Sequence, residues 1–596
     1  MKIKNVFRTG GLVLGSLLFT MYMRLPYAVM WGIIISFILV LAGLKRKEYY
    51  DIKFIIPTML FSFMISLGII VGAHIVINTD NLYSGTIDTS YIVEYKWYDI
   101  IAWLFISYMF SYIIKIIYGL HRKIEVRELD IEKVPKKISR KITIFFMAII
   151  IIGWIPYLVL YFPGFYFSDS IISVSQALGL SKLNNHHPVM YAMFLRMCIC
   201  IAGGAKEITK GLAIYSVVQM LYMAYVLAYF ANWLKTRFFM KKWIIGIVII
   251  VFSTCPYIAQ YSIAIWKDPI FSVTIVLVTV LLYDILLHRD CSVKIKSFLL
   301  IKLFLAIIIM NFSRNNGIYI NIAILCIAIF SLLKASTRKI ISRIISVCIV
   351  SIIVTFIITG PVYNKIGVVK DEQNVESYGI FLAQMARVVV LDGDLSQQDR
   401  EYMNDILPLE EYKSLYSPYC IDNLKWSADF DRTVLEKDFF KRYFSILKKN
   451  PKICIEAWEY QTLGYWALNQ KEVNNYSKNI TGGMPRNIYS DKPLGIEYLR
   501  LKKVDLESGG VKAFPYTGKF IPVSYANWLL IAIVVFALFK WKPEDMLVVS
   551  PAVGLMATLI IASPIFYWPR YGFAEQLLVP LFIIMILKRN DNEKNK

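Results

Sequence analysis

Long apolar runs separated by short polar or basic segments organise the chain from end to end. A bilayer-crossing helix needs about 20 predominantly apolar residues. Fourteen runs approach that length: 10–23, 25–44, 53–77, 98–118, 142–162, 210–233, 243–262, 269–287, 297–312, 317–333, 340–361, 526–541, 546–566 and 571–588. The pattern predicts an all-α polytopic membrane protein with about 14 transmembrane helices. A membrane barrel would show short alternating segments instead. Arg24-Leu25-Pro26 divides the first two runs, which read as a tight hairpin.

Polar segments give the direction. Basic residues concentrate at 45–52, 121–141, 235–242, 289–296 and 334–339, and again in the tail with Lys588, Arg589, Lys594 and Lys596. Such loops face the cytoplasm. Segment 78–97 carries Asp80, Asp88 and Glu94 against Lys96, so it faces out. The alternation closes only if the shorter run 189–203, which contains Arg196, does not cross. It reads as a re-entrant or interfacial outer helix. Both termini then lie inside, and the long polar region 362–525 is extracytoplasmic, a mixed domain with helix-like spacing at 399–415 and 432–449 and a loop-rich stretch at 470–520.

Composition agrees. The chain of 596 residues is 57% hydrophobic and 18% charged, against about 25% charged in soluble domains. Its mean hydropathy is +0.55. The net charge of +23 sits in the loops between apolar runs, and no nucleic-acid-binding motif accompanies it, so no nucleic-acid partner is expected. The eight cysteines form no CxxC. Cys420 and Cys454 are the only two in a polar region, where isolated cysteines are more often unpaired.

The candidate chemistry lies on the outer face. After run 142–162 comes Phe162-Pro-Gly, then Ser168-Asp169-Ser170, then Asn185-His186-His187-Pro188. A carboxylate followed by a histidine pair suits acid–base chemistry or a metal site. Asp169 has an equal claim as a helix cap. Trp266-Lys267-Asp268 begins another run, where a local ion pair and an aromatic belt explain it as well. Arg314-Asn315-Asn316-Gly317 is turn chemistry, yet Arg314 puts a cation on the outer side. Arg387 and Arg570 do the same. Cations gathered on that face point to an anion, and phosphate is the natural one at a bilayer surface. No Walker, Rossmann, GxSxG or HExxH motif occurs.

The order of these motifs resembles the first outer loop of the GT-C superfamily, membrane glycosyltransferases that use polyprenyl-phosphate donors. More closely, Phe162-Pro-Gly with Ser168-Asp169-Ser170, Asn185-His-His-Pro188, Trp266-Lys-Asp268-Pro, Arg314-Asn-Asn-Gly-Ile-Tyr319, Gln384-Met-Ala-Arg387 and Asn450-Pro with Gly464-Tyr-Trp466 resemble an uncharacterised multispan family of Gram-positive bacteria. The likeness covers roughly 140–470. Many GT-C enzymes carry two acidic residues in this loop. Here Asp169 stands between Ser168 and Ser170, so a divalent cation lacks a second carboxylate beside it and no cofactor or metal ligand set is assigned.

The resemblance implies four parts: accessory helices 1–120, a GT-C-like core 121–361 with its catalytic loop at 163–209, the outer domain 362–525, and C-terminal helices with a cytoplasmic tail at 526–596. It implies an inverting glycosyltransferase of the bacterial cell membrane, moving a sugar from a polyprenyl-phosphate donor to an envelope glycan, lipid or protein acceptor. Asp169, His186 and His187 would carry the catalysis. Lys267, Arg314 and Arg387 would bind the donor phosphate, with Ser168, Ser170, Asp268, Asn316 and Arg570 in support. Two alternatives stand beside it. A transporter or flippase for lipid-linked saccharides would use ionisable groups such as Asp284 and Lys302. A glycan polymerase would share the many spans and the large outer loop.

Overall fold

A computed structural model describes residues 2–44, 52–77, 90–121, 137–164, 168–290, 292–334, 337–369, 375–470, 520–563 and 569–587. The basic segment 45–52, most of 78–97 and 121–141, the loop-rich stretch 470–520 and the C-terminal tail fall largely outside these residues. What is described is almost entirely helical, with one two-stranded antiparallel pair, β1 (Ile75–Val76) with β2 (Tyr91–Ile92).

The apolar runs become helices. They are α1 (Lys2–Tyr22), α2 (Ala28–Leu44), α3 (Ile52–His74), α4 (Trp97–His121), α5 (Arg140–Leu160), α6 (Ser168–Leu178), α7 (Val189–Ile201) and α8 (Ile208–Arg237). Then come α9 (Lys242–Thr254), α10 (Pro256–Ser262), α11 (Lys267–Leu287), α12 (Val293–Ser313), α13 (Gly317–Ser331), α14 (Arg338–Ile357) and the short α15 (Tyr363–Lys365). The chain is an all-α polytopic membrane protein. Among the described residues, nine helices are long and apolar enough to cross a bilayer, or ten with the bent pair α9–α10 taken as one span.

The fourteen expected runs differ from this count for local reasons. Run 243–262 is broken because Pro256 pushes Cys255 out of the helical region, to φ −69° and ψ 115°, and the two helices meet at 58°. Run 340–361 still counts as a span, Arg338–Lys365, although its end unwinds into a π turn at Ile358–Val362, where Pro361 lacks the amide that an α-helix would use. Four more helices are apolar but only 15–17 residues over their apolar lengths: Val6–Tyr22, Ala28–Ala42, Gly317–Ser331 and, near the C-terminus, Val523–Phe539. At 1.5 Å per residue they reach about 23–26 Å, short of the ~30 Å hydrocarbon core. The run at 10–44 is a hairpin of α1 and α2, closed where Thr20 Oγ1 donates to the carbonyl of Ala28 at 2.8 Å.

Position follows from how many sides of a helix are apolar and covered. The α11 span is 83% buried and α8 is 67% buried, whereas α5 is 22% buried. In a bilayer a helix apolar all round can face lipid as well as protein, so it is coverage that places α11 and α8 at the centre. Two C-terminal helices, α23 (Pro543–Ala562) and α24 (Phe573–Leu587), complete the core together with α22 (Val523–Phe539). At one end of the bundle, Asp284 on α11 accepts from Arg237 Nε at 2.8 Å, from Arg237 Nη2 at 3.0 Å and from Trp233 Nε1 at 2.9 Å. Asp284 is therefore engaged in joining α8 to α11.

Residues 375–466 have a hydrophobic core of their own. Its helices are α16 (Gly379–Val390), α17 (Gln397–Ile406), α18 (Leu409–Leu415), α19 (Asp422–Lys425), α20 (Phe439–Lys449) and α21 (Pro451–Trp466). The mixed domain read from 362–525 is thus helical in its described part, apart from one isolated bridge between Val369 and Asn184. The α17 start is a serine cap, Ser396 Oγ accepting from the amide of Asp399 at 3.2 Å. Cys420 and Cys454 are both buried and unbridged. After α21, Asn469 Nδ2 donates to the carbonyls of Tyr22 and Ile69, and Gln470 Nε2 to that of Ile75. These bonds fasten the first helices onto the rest. Asn469 sits so close that a Cβ on Gly72 would lie 2.4 Å from its Oδ1.

Candidate functional site

The other end of the bundle gathers charge. Helices α6, α11 and α24 all begin there and α12 ends there, so residues separated by up to 401 positions become neighbours. Asp169 is the second residue of α6. Its Oδ2 accepts from Arg570 Nη1 at 2.8 Å and lies 3.9 Å from Lys267 Nζ. Lys267 and Asp268 open α11, where an acidic side chain suits the positive end of the helix. Asp268 is buried at 1% exposure. Arg314 Nη1 stands 3.1 Å from its Oδ1, an ion pair not aligned as a hydrogen bond, and Arg570 Nη1 is 3.8 Å from its Oδ2.

Aromatic rings hold the guanidinium groups. Arg314 lies 4.3 Å above the Tyr571 ring and Arg570 lies 4.5 Å above the Trp266 ring. Arg570 Nη2 also donates to the Tyr571 hydroxyl at 3.2 Å. Such stacking costs a weakly hydrated guanidinium little and fixes its plane. The backbone leading into α11 is braced from α8: Gln219 Nε2 donates to the carbonyl of Ala264 at 2.6 Å and the Tyr215 hydroxyl to that of Trp266 at 2.8 Å. Ser170 Oγ donates to the carbonyl of Ile265 at 2.6 Å, which ties α6 to the same segment.

His187 precedes α7 and is 7% exposed. Lys267 Nζ donates to its Nδ1 at 2.7 Å. An accepting Nδ1 puts the ring proton on Nε2, and Nε2 is buried with no hydrogen-bond partner among the described residues. Burial, with Lys267 alongside, pushes His187 down to about 2, so the ring is neutral. Burial alone would raise Asp169, but Arg570 and Lys267 outweigh it and hold the carboxyl well below the usual carboxylate range. Among the described residues, the cations Lys267, Arg314 and Arg570 thus face the carboxylates Asp169 and Asp268. The Asp169 side chain remains 27% exposed, so the cluster is open to solvent on that side.

Most residues singled out in the sequence meet here: Asp169, His187, Lys267, Asp268, Arg314 and Arg570. His186 stacks edge-on to His187 with ring centres 4.8 Å apart and faces Trp426 at 6.1 Å. Ser168 starts α6, and Ser170 is a brace. Asn316 caps α13 through its backbone, and the turn is tight enough that a Cβ on Gly317 would meet the Met310 carbonyl at 2.4 Å. Arg387 is in other company. On α16 it pairs with Glu456 at 3.4 Å and stacks 4.8 Å from the Tyr460 ring. Its described contacts include no member of the Asp169 cluster. Beside it, burial and Glu456 raise Glu459 to about 7.

Sequence reading missed Tyr571, which carries Arg314, and read Asn315 only as part of a turn, whereas its Nδ2 donates to the carbonyl of Asn185 at 2.8 Å. It also missed that Asp268 supplies the second carboxylate. The two carboxylates do not make a metal cage here, because the Arg570 guanidinium lies between them and within 3.8 Å of both. Among the described residues no group of three or more His, Cys, Asp or Glu is placed to hold a metal ion.

The chain matches no curated protein and no solved structure. A family model does match, over residues 178–596, more than two thirds of the length. The match begins at the end of α6 and takes in His187, Lys267, Asp268, Arg314 and Arg570, with Asp169 just before it. The chain belongs to the Family of unknown function (DUF6020).

Proposed function

We propose that this protein is an integral membrane glycosyltransferase of the GT-C type, moving a sugar from a polyprenyl-phosphate donor to an envelope acceptor. The supporting observation is the convergence of Lys267 and Arg570 on one partly exposed carboxylate, Asp169, with Arg314 held beside them by the neighbouring Asp268. The acceptor O–H gives its proton to Asp169 as its oxygen attacks the anomeric carbon. The bond from that carbon to the phosphate oxygen breaks, and the electron pair leaves on the polyprenyl phosphate. That group gains negative charge as it departs, where preorganised cations stabilise it most. Binding of the donor phosphate draws Arg570 and Lys267 away from Asp169, which becomes a stronger base when the substrate is present. Neutral His187 offers its Nε2 proton to a phosphate or acceptor oxygen.

On this reading α1, α2, α13, α22 and the α9–α10 pair also cross, giving fourteen spans, while α7 lies at the outer surface. Both termini face the cytoplasm, and 163–188 and 375–470 face out. Cysteine labelling of intact cells, in a cysteine-free background, should modify Ser181→Cys and Gln397→Cys but not Lys137→Cys. Labelling at position 137 from outside reverses the orientation.

Activity is tested with the purified protein, labelled polyprenyl-phosphate sugars and envelope extract. Lys267→Ala and Arg314→Ala should each slow donor use. Loss of a charge-assisted bond costs about 1.5–3 kcal/mol, roughly 10–200-fold. Full activity of both variants would return Lys267 and Arg314 to structural ion pairing.

A further inference from the structure

A cavity of about 370 Å³ opens beside the Asp169 cluster, within the size range of small-ligand sites. It lies between α6, the turn before His186 and the segment that follows α19. Trp426 lines it and is 60% exposed, an unusual position for so large an apolar ring in a folded domain. Arg432 lies 4.7 Å from the Trp426 ring, and the ring of His186 stands edge-on to it.

Gln176 is a second, independent sign. It is 3% exposed, it lines the same cavity, and its Oε1 has no hydrogen-bond partner among the described residues. A buried carbonyl oxygen of this kind wants a donor. Among the described residues the lining also carries Lys182, Lys425 and Arg432 and no carboxylate. Asp422 pairs with Lys425 at 2.7 Å from outside the lining.

Distance to the reacting groups follows from helix geometry. Asp169, Ile172 and Gln176 are spaced i, i+3 and i+7 on α6, so they share a face. At 1.5 Å per residue Gln176 is about 10 Å along the axis from Asp169. His186 lines the cavity and touches His187, which touches Lys267.

We propose, building on the transferase reading above, that this cavity is the acceptor subsite and takes a saccharide carrying an anionic substituent. The apolar C–H face of a sugar ring stacks on Trp426, a hydroxyl donates to Gln176 Oε1, and the anionic group sits by Lys182 and Arg432. The far end of the ligand then presents a hydroxyl toward Asp169.

The test is binding to the full-length protein in nanodiscs, by calorimetry and saturation-transfer NMR, with three probes: an oligogalacturonate tetramer, chitotetraose and a glycerol-phosphate oligomer. The uronate should bind saturably and more tightly than the other two. Trp426→Ala should weaken it about tenfold or more, Trp426→Phe should recover part of the loss, and Lys182→Gln should narrow its advantage over chitotetraose. The inference is overturned by an unchanged uronate affinity in both Trp426 variants, by equal binding of uronate and glycerol phosphate, or by no saccharide binding to wild type at millimolar concentrations. Equal binding of uronate and chitotetraose overturns the anionic specificity. Donor cleavage is measured on the same samples. Cleavage without any saccharide at this cavity sinks the subsite and leaves the transferase, whereas Trp426-dependent binding in protein that never cleaves donor does the reverse.

Discussion

Asp169→Asn is expected to cut turnover at least ~100-fold, the lower range for removing a general base, while the donor binds no more weakly than to wild type. Asparagine keeps the shape of the side chain and can still accept from Arg570. It removes the proton acceptor and one of the two negative charges beside Lys267 and Arg570, so the anionic donor meets a more positive site. A capping role gives the opposite result, because asparagine caps a helix as well as aspartate does. The pH dependence follows from the depressed Asp169 pKa. A folded pKa below the unfolded ~3.9 contributes stability above that value, lost only as pH falls through the folded pKa. The melting difference between wild type and Asp169→Asn should therefore stay flat from about pH 5 to 9. Activity should behave differently. A bound phosphate competes for Arg570 and Lys267, so the acid limb of kcat should lie at higher pH than that of kcat/KM. Turnover of Asp169→Asn near wild type, with labelled polyprenyl-phosphate sugar, would eliminate Asp169 as the base.

The sequence carried the helical membrane architecture because burial in lipid demands long apolar runs, and those are visible one residue at a time. Exact spans were less visible. Pro256 and Pro361 sit inside runs that read as continuous, and their effect is local: one bends the pair α9–α10, the other unwinds the end of α14. The helicity of 375–466 was only partly legible, because its core depends on contacts between short helices such as α16 and α21. At the site, short motifs pointed to Asp169, the histidine pair, Lys267 and Arg314. Their partners did not follow from spacing. Asp169 meets Arg570 across 401 positions, and the ring under Arg314 belongs to Tyr571. Arg387 shows the converse: a cation that the sequence placed with the others, but whose described partners on α16 include Glu456 and Tyr460. An outer-face charge marks a candidate, but only packing decides which anion it serves.

Arg570→Ala is expected to have the largest combined effect, because this one guanidinium stands between two carboxylates and beside the proposed donor phosphate. Removing a preorganised donor to developing negative charge costs about 10²–10³-fold in turnover. The same change leaves Asp169 and Asp268 without their shared counter-charge. Breaking a buried pair costs about 3–5 kcal/mol. The lower end, or somewhat less, applies here, since Asp169 is 27% exposed and Arg314 still faces Asp268. Arg570→Lys restores charge but not the fork that reaches Asp169, Asp268 and the Tyr571 hydroxyl together. It should melt between wild type and Arg570→Ala. Adding Asp169→Asn to Arg570→Ala deletes one of the orphaned charges, so the double variant should regain thermal stability over Arg570→Ala alone. A cycle over these variants isolates the coupling between the two side chains. Turnover should not return with the stability, because the double variant lacks both the base and the phosphate cation. If Arg570→Ala melts early yet turns over at the wild-type rate per folded molecule, Arg570 is a counter-ion for the carboxylates and the donor phosphate rests on Lys267 and Arg314.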